Sequence, residues 1–261
     1  MNLDFPKLSI VTPSFNQAQY LEETICSVIN QNYPNLEFII IDGGSTDKSI
    51  DIIKKYEKHL TYWVSEPDDG QSHAINKGFS KASGDIFAWI NSDDYYTANA
   101  FQNVITAFSK FKAKIINGDC QVIEKGENKR LVKPGEITLD RLLRYWVPYS
   151  VPPQPSIFFK REVWNKCGPL NTKLHFAMDY DLWLNAAMHY KFNYINCTLS
   201  AYRFHEESKS VKDGGYNNFI PEWESVMKNF VKKNMSLKFQ IDFFREISIR
   251  NSHPPTRMNH L

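Results

Sequence analysis

Between Leu8 and Phe108 the chain alternates four times between a short apolar run and a stretch with helical spacing, and each apolar run stops in Ser, Asn, Asp or Gly. Leu8-Ser9-Ile10-Val11-Thr12 gives way to Pro13-Ser14-Phe15-Asn16, and Leu21, Ile25, Val28 and Ile29 then recur with a helical period behind Glu22 and Glu23. Phe38-Ile39-Ile40-Ile41 ends at Asp42-Gly43-Gly44-Ser45-Thr46-Asp47, ahead of Ile50, Ile53 and Tyr56. Tyr62-Trp63-Val64 closes at Ser65-Glu66-Pro67-Asp68-Asp69-Gly70, ahead of Ala74, Ile75 and Phe79. The run from Asp85 to Ile90 breaks off in Asn91-Ser92-Asp93-Asp94, and Phe101, Val104, Ile105 and Phe108 make the next helix before a strand at Ile115-Ile116. Strands apolar on both faces belong in parallel sheets. The alternation therefore predicts an α/β fold with a doubly wound sheet and helices on both faces. Right-handed crossovers bring all four polar strand ends to one edge, where open sheets bind ligands.

The fourth strand end is the most chemical of them. One amide and two carboxylates gather there, and Mg²⁺ or Mn²⁺ takes such oxygen ligands and shares them with substrate phosphates. Asn, Ser and Asp are also ordinary turn residues. Four polar loops on one edge exceed what turn chemistry requires, so a nucleotide-type site is expected. A formal net charge of +2 provides no field for nucleic acid. The four cysteines, Cys26, Cys120, Cys167 and Cys197, have no zinc-type spacing and read as reduced thiols. No apolar run nears the roughly 20 residues of a membrane span. The first residues lack an export signal, so a cytoplasmic protein is expected and Asn196-Cys197-Thr198 reads as a chance glycosylation match.

After Ile116 the pattern loosens. Glu124 to Arg130 reads as a charged loop, and Val147 to Pro155 carries four prolines, so residues 120–155 look like an irregular acceptor-side region or a plain surface excursion. Strand character returns at Ser156 to Phe159, a short helix from Arg161 to Lys166 stops at Gly168-Pro169, and another begins at Met178-Asp179-Tyr180-Asp181. Phe192 to Cys197 and Ala201 to Phe204 read as two strands, the second running into His205. Beyond Tyr216 the chain reads as a helical extension, with a loose tail from Ser252 to Leu261. The expected division is a domain over 1–210, in halves 1–119 and 120–210, and an extension over 211–261. Lys228, Lys232 and Lys233 precede Phe239, Ile241, Phe243 and Phe244, with Arg245 and Arg250 beyond. A basic helix with an apolar face packs on its parent domain or on a second copy in a homodimer, or lies on an anionic membrane.

These residues resemble the family 2 inverting glycosyltransferases of the GT-A, Rossmann-like fold, and the likeness runs from Leu8 to about His205. Six motifs appear in the family's order: Thr12-Pro13-Ser14-Phe15-Asn16, Asp42-Gly43-Gly44-Ser45-Thr46-Asp47, Ser65-Glu66-Pro67-Asp68, Asn76-Lys77-Gly78, Asn91-Ser92-Asp93-Asp94 and Met178-Asp179-Tyr180-Asp181-Leu182-Trp183-Leu184. Each is weak alone, and six in order make chance a poor explanation. The resemblance implies a nucleotide-diphosphate sugar donor, UDP-linked in this reading, a Mn²⁺ or Mg²⁺ cofactor, and a saccharide or lipid-linked saccharide acceptor for surface polysaccharide synthesis.

It also implies roles. Asp42 would accept the N–H of the nucleobase, with the backbone of Pro13 and Ser14 as slot wall, although Asp42 could equally cap its own Gly43-Gly44 turn. Thr12, Asn16, Gly44, Asn76, Lys77, Asn91 and Ser92 fall in the donor motifs, and Asp68 is preferred to Asp69 as the acidic donor contact. Asp93 would hold the metal, with His205 as a further ligand. Asn91 stands where the family's Asp-Xaa-Asp signature has its first carboxylate, which lowers the charge of the ligand set. Asp179 matches the Asp of the family's Glu-Asp pair and would be the base, with Asp181 as runner-up; Met178 replaces the Glu and would desolvate its neighbour. Trp146, Tyr149 and Trp183 could stack on sugars or pack in the core, and Gln154 and Ser156 are expected to face the acceptor. A binding module without turnover remains an alternative, and so does a sugar-phosphate nucleotidyltransferase, which would need a glycine-rich basic loop in place of Pro13-Ser14-Phe15-Asn16.

Overall fold

The computed structural model describes residues 5–124, 127–209, 211 and 217–252, so the loop residues Lys125 and Gly126 and the expected tail beyond Ser252 lie outside the described residues. The Arg250 side chain does so too. In chain order the elements are β1 (Leu8–Ser14), α1 (Ala18–Ile29), β2 (Leu36–Asp42), α2 (Ser49–Lys55), β3 (Tyr62–Ser65), α3 (Gln71–Lys81), β4 (Ile86–Trp89), β5 (Tyr95–Tyr96) and α4 (Ala100–Phe111). There follow β6 (Ile115–Glu124), β7 (Glu127–Val132), α5 (Leu139–Leu143), β8 (Ile157–Lys160), α6 (Arg161–Cys167), α7 (Met178–Ala187), β9 (Phe192–Phe204), α8 (Phe219–Asn234) and α9 (Leu237–Ser252).

Among the described residues these strands form one mixed sheet in the order β3-β2-β1-β4-β8-β6-β9-β5, with β7 paired to β6. The four expected strands are the parallel β3-β2-β1-β4 half, and their carboxyl ends share an edge. β1 and β4 are buried along their whole length and β2 nearly so, because helices cover both faces. Side-chain alternation divides them between two cores. Ile10, Ile40, Ala88 and Ile90 pack with α1 and α4, whereas Val11, Ile39, Ile41, Phe87 and Trp89 pack with α3 and α7. Gly78 lets α3 settle onto β1, where an added Cβ would stand 2.4 Å from Val11 Cγ1.

The second half departs from the sequence reading. β6 continues past Ile116 to Glu124, Glu127 to Val132 is a strand rather than part of a loop, and the two segments expected between Phe192 and Phe204 are one strand. β9 absorbs its polar middle through register shifts against β6 at Asn117, Asp119 and Cys120. Val226, Met227, Phe230, Val231, Phe243 and Ile247 of α8 and α9 join the same core as α7, so the expected division at residue 210 coincides with no break in the packing. No helix among the described residues is long and apolar enough to cross a membrane.

Candidate active site

A cavity of about 850 Å³ opens at the carboxyl edge of the parallel strands. Pro13 and Ser14 at the end of β1, Asn16 just after it, Asp68 after β3, and Asn91, Ser92 and Asp93 after β4 all line it. Gln154, Tyr149, Met178 and Asp179 line it from the second half of the chain, so the two halves meet across one cleft.

The turn after β4 is braced by neighbouring elements. Thr24 of α1 donates through Oγ1 to the Asp94 carbonyl at 2.6 Å, and Arg203 of β9 donates to the Asp93 carbonyl and, through its backbone N–H, to Asp94 Oδ1 at 3.1 Å. Asp94 is buried, and burial, reinforced by the charge of Asp93, pushes its carboxyl well above the ordinary range. The bracing leaves the Asp93 side chain free to face the cavity. Its Oδ2 lies 2.9 Å from His205 Nε2, and the imidazole packs on the Tyr20 ring with centroids 4.5 Å apart. The two residues expected to hold a metal therefore meet.

Among the described residues no group of three or more His, Cys, Asp or Glu side chains forms a complete metal site. One carboxylate and one imidazole fit a Mn²⁺ or Mg²⁺ ion that takes its remaining ligands from a diphosphate and water. Asn91 reads differently. It accepts from Gln71 Nε2 at 2.6 Å and donates to Asp94 Oδ2 at 3.3 Å, so its amide makes a bond to Asp94 that a second carboxylate would oppose.

On the other flank, Trp183 stacks on Trp89 at the end of β4, with centroids 5.6 Å apart, and presses the start of α7 against the cleft. Asp179 lies deep there, part-exposed to the cavity and otherwise ringed by protein. Burial pushes its carboxyl up to about 6, against the lowering pull of the Tyr180 N–H and of nearby Lys209. Met178 is buried beside it and accepts from Ser72 Oγ through its sulfur, joining the starts of α3 and α7.

Several lining residues present buried polar atoms without a hydrogen-bond partner among the described residues. Ser14 Oγ and Gln154 Oε1 are buried without a protein partner among the described residues, as expected of groups that await a ligand. The other Gln154 amide atom donates to the Trp89 carbonyl at 2.8 Å, which fixes the side chain's direction. Asp68 accepts from the Gly70 N–H at 2.7 Å beside Gly43, while Asp69 points outward with 92 % of its side chain exposed.

Several expected site residues stand elsewhere. Asp42 is fully buried and does not line the cavity. Its carboxylate accepts from the Gly44 and Ser45 N–H groups and from the Ser45 and Ser65 hydroxyls, which is the turn-capping role. Thr12 and Gly44 lie behind the wall, Asn76 exchanges hydrogen bonds with the Leu170 backbone, and Lys77 pairs with Glu66. Ser156 is buried against the Asp119 carbonyl and Ser200, contrary to its expected cleft-facing position. Trp183 is core, and Asp181 accepts from Asn185 outside the cavity, with its carboxyl raised by burial.

The sequence reading missed Lys209, Gln71 and Arg203. The Lys209 ammonium donates to Gln71 Oε1 at 2.9 Å and to the His175 carbonyl at 3.1 Å. Burial lowers its pKa against the raising effects of Asp179, Glu222 and Asp93, so one cation sits between the two acidic flanks. The Glu206-Glu207-Ser208-Lys209 stretch has no periodicity that could have singled it out.

The fold is shared with known transferases. Staphylococcus aureus TarS, in a complex with UDP-GlcNAc, superposes with a TM-score of 0.72 at 16% identity, covering 95% of this chain and 73% of that one. A mannosyltransferase from Pyrobaculum calidifontis, in a complex with GDP-Man and Mn²⁺, gives 0.60 at 15% identity over 97% of this chain and 82% of that one. An uncharacterized glycosyltransferase of Rickettsia felis is 28% identical over 90% of this chain, which spans only 40% of that relative's length. The sequence profile of glycosyl transferase family 2 matches residues 9–164, well over half of the chain and including all four cleft-forming strands of the parallel half. The chain belongs to glycosyl transferase family 2, built on the GT-A form of the α/β fold.

Proposed function

We propose that the chain transfers a sugar, with inversion, from a UDP-linked donor to a hydroxyl of a saccharide or lipid-linked acceptor in surface polysaccharide or glycoconjugate synthesis. The observation that carries the reading is Asp179: a deep carboxylate, raised to about 6, on the same cavity as Asp93, which in turn bonds His205. Pro13, Ser14 and Asp68 bind the nucleoside side of the donor, and the diphosphate lies toward Asp93 and His205. A divalent cation held by those two residues would act as a Lewis acid on the departing diphosphate. Lys209 stabilises the same negative charge from the protein side.

Asp179 removes the acceptor hydroxyl proton while that oxygen bonds to the anomeric carbon. The carbon–oxygen bond to the diphosphate breaks in the same step, and the nucleoside diphosphate leaves with the electron pair. A single base opposite the leaving group gives inversion. Gln154 and Tyr149 lie on the acceptor side, where the unpaired Gln154 Oε1 can accept from a sugar hydroxyl.

We place the reaction in the cytoplasm, at the inner face of the membrane when the acceptor is lipid-linked. The exposed Leu237 and Ile241 on α9 support peripheral contact. The test is transfer and hydrolysis with a panel of UDP- and GDP-sugars, with and without Mn²⁺. Metal-dependent turnover of a UDP-sugar that Asp179→Asn abolishes supports the reading. Donor binding without turnover across the panel would instead favour a binding module, the alternative suggested by Asn91 and Met178.

A further inference from the structure

The start of α7 is poorly supplied by its own sequence. The residue before it is Ala177, whose side chain cannot accept from the free N–H groups of a first turn. The segment that leads into it is held by another helix instead. Glu222 of α8 accepts the His175 N–H through Oε1 at 2.9 Å, and through Oε2 it accepts the Phe176 and Ala177 N–H groups, each at 2.5 Å. The His175 peptide is held from its other side as well, since its carbonyl accepts from Lys209 Nζ.

Glu222 itself does not line the cavity. A carboxylate in the first turn of α8 would ordinarily complement that helix's own dipole. Here both oxygens are committed to the segment that delivers Asp179. From Glu222 the hydrogen bonds continue through the peptide that joins His175 to Phe176 to Lys209, then to Gln71, Asn91 and Asp94. The base flank and the metal flank are joined beneath the cleft.

We propose that Glu222 is a positioning residue for the transfer reaction: through three backbone N–H groups it sets the start of α7 and so the place of Asp179 relative to the donor. This rests on Asp179 being the base. Electrostatics add a second signature. Besides its burial, Asp179 feels Lys209, which lowers its pKa, and Glu222, which raises it; His175, pushed below its usual range by burial and by Lys209, is neutral at pH 7. Removing the Glu222 charge therefore moves the Asp179 titration to lower pH, while loss of kcat at unchanged UDP–Mn²⁺ affinity is the change that a merely structural prop would not cause.

The experiment compares the full chain with Glu222→Gln and Glu222→Ala; the Gln variant keeps one carbonyl acceptor should the Ala variant fail to fold. The Asp179 carboxyl is titrated by ¹³C NMR, with its signal identified by its loss in Asp179→Asn, and hydrolysis of UDP-GlcNAc with Mn²⁺ provides kcat. The expected result is a titration shifted to lower pH and kcat reduced on the order of tenfold to a hundredfold, with UDP–Mn²⁺ affinity unchanged. If Asp179→Asn is inactive while Glu222→Gln keeps the wild-type kcat, with or without a shifted titration, the positioning role is overturned and the base assignment stands. If Asp179→Asn itself turns over like the wild type, the base assignment has failed and the positioning role falls with it.

Discussion

Asp179→Asn should make the protein more stable while removing its turnover. The Asp179 carboxyl, held at about 6, lies well above its ordinary value of 3.8, and burial is the main cause. A group whose folded pKa is raised favours the folded state when protonated; that contribution is full below the unfolded value and lost as the pH rises through about 6. At neutral pH the folded chain therefore carries a carboxylate that would be better solvated in the unfolded chain. At roughly 1.4 kcal/mol per pKa unit the penalty is about 3 kcal/mol, and the partial opening onto the cavity reduces it to about 2 kcal/mol. Asn is nearly isosteric and keeps an oxygen for the Tyr180 N–H that Asp179 Oδ1 accepts at 2.8 Å. A chain of this size should melt about 4–8 °C higher at pH 7.5 as the variant. The difference should shrink on acidification and vanish below about pH 4, where both states of the wild type are protonated. Calorimetric melts of both proteins across that range are the assay. An unchanged or lower melting temperature at pH 7.5, or a gain that persists at pH 4, would refute the claim that Asp179 is a strained buried base.

In the wild type, kcat should fall with an acidic limb near pH 6, because only the ionised carboxylate can take the acceptor proton; a pH profile from 4.5 to 8.5 checks this. Asp93→Ala should make UDP binding insensitive to Mn²⁺, read by calorimetry with and without the metal, because His205 alone is a weak ligand set. Lys209→Met should weaken UDP binding about tenfold through loss of a charge-assisted hydrogen bond, measured in the same experiment. Far from the cleft, burial would raise the Glu37 carboxyl, but bonds from Lys7, Ser9 and Ser83 hold it down to about 2. Its stabilisation is full above the unfolded value near 4.5 and lost as the pH falls through about 2. Glu37→Gln should accordingly cost about 2–3 kcal/mol at neutral pH in urea melts, with a deficit that narrows in acid.

The parallel half was legible because β1, β2 and β4 are covered on both faces and so appear as mostly apolar runs. The continuation of β6 was not, since Asn117-Gly118-Asp119-Cys120-Gln121 has no simple period and is held as strand by pairing with β9 far along the chain. The site divides in the same way. Asp93, Asp68 and Gln154 line the cavity as their motifs or positions suggested, and His205 bonds to Asp93 without lining the cavity itself, whereas Asp42, Asn76 and Ser156 spend their polar groups on the backbone around them. A strand end needs such internal acceptors and donors whether or not a ligand comes, and residue type cannot separate the two uses. Lys209 and Glu222 act through partners remote in sequence and carry no local signature.

The seating of α7 by a later helix bears on how the protein comes into being. During synthesis the nucleoside-side strands leave the ribosome first and can pair with one another, while the carboxylate that anchors the opposite flank emerges after β9 is complete. The growing chain would complete the strand edge of the cleft before it holds an aligned base, so alignment for transfer would wait on the docking of α8.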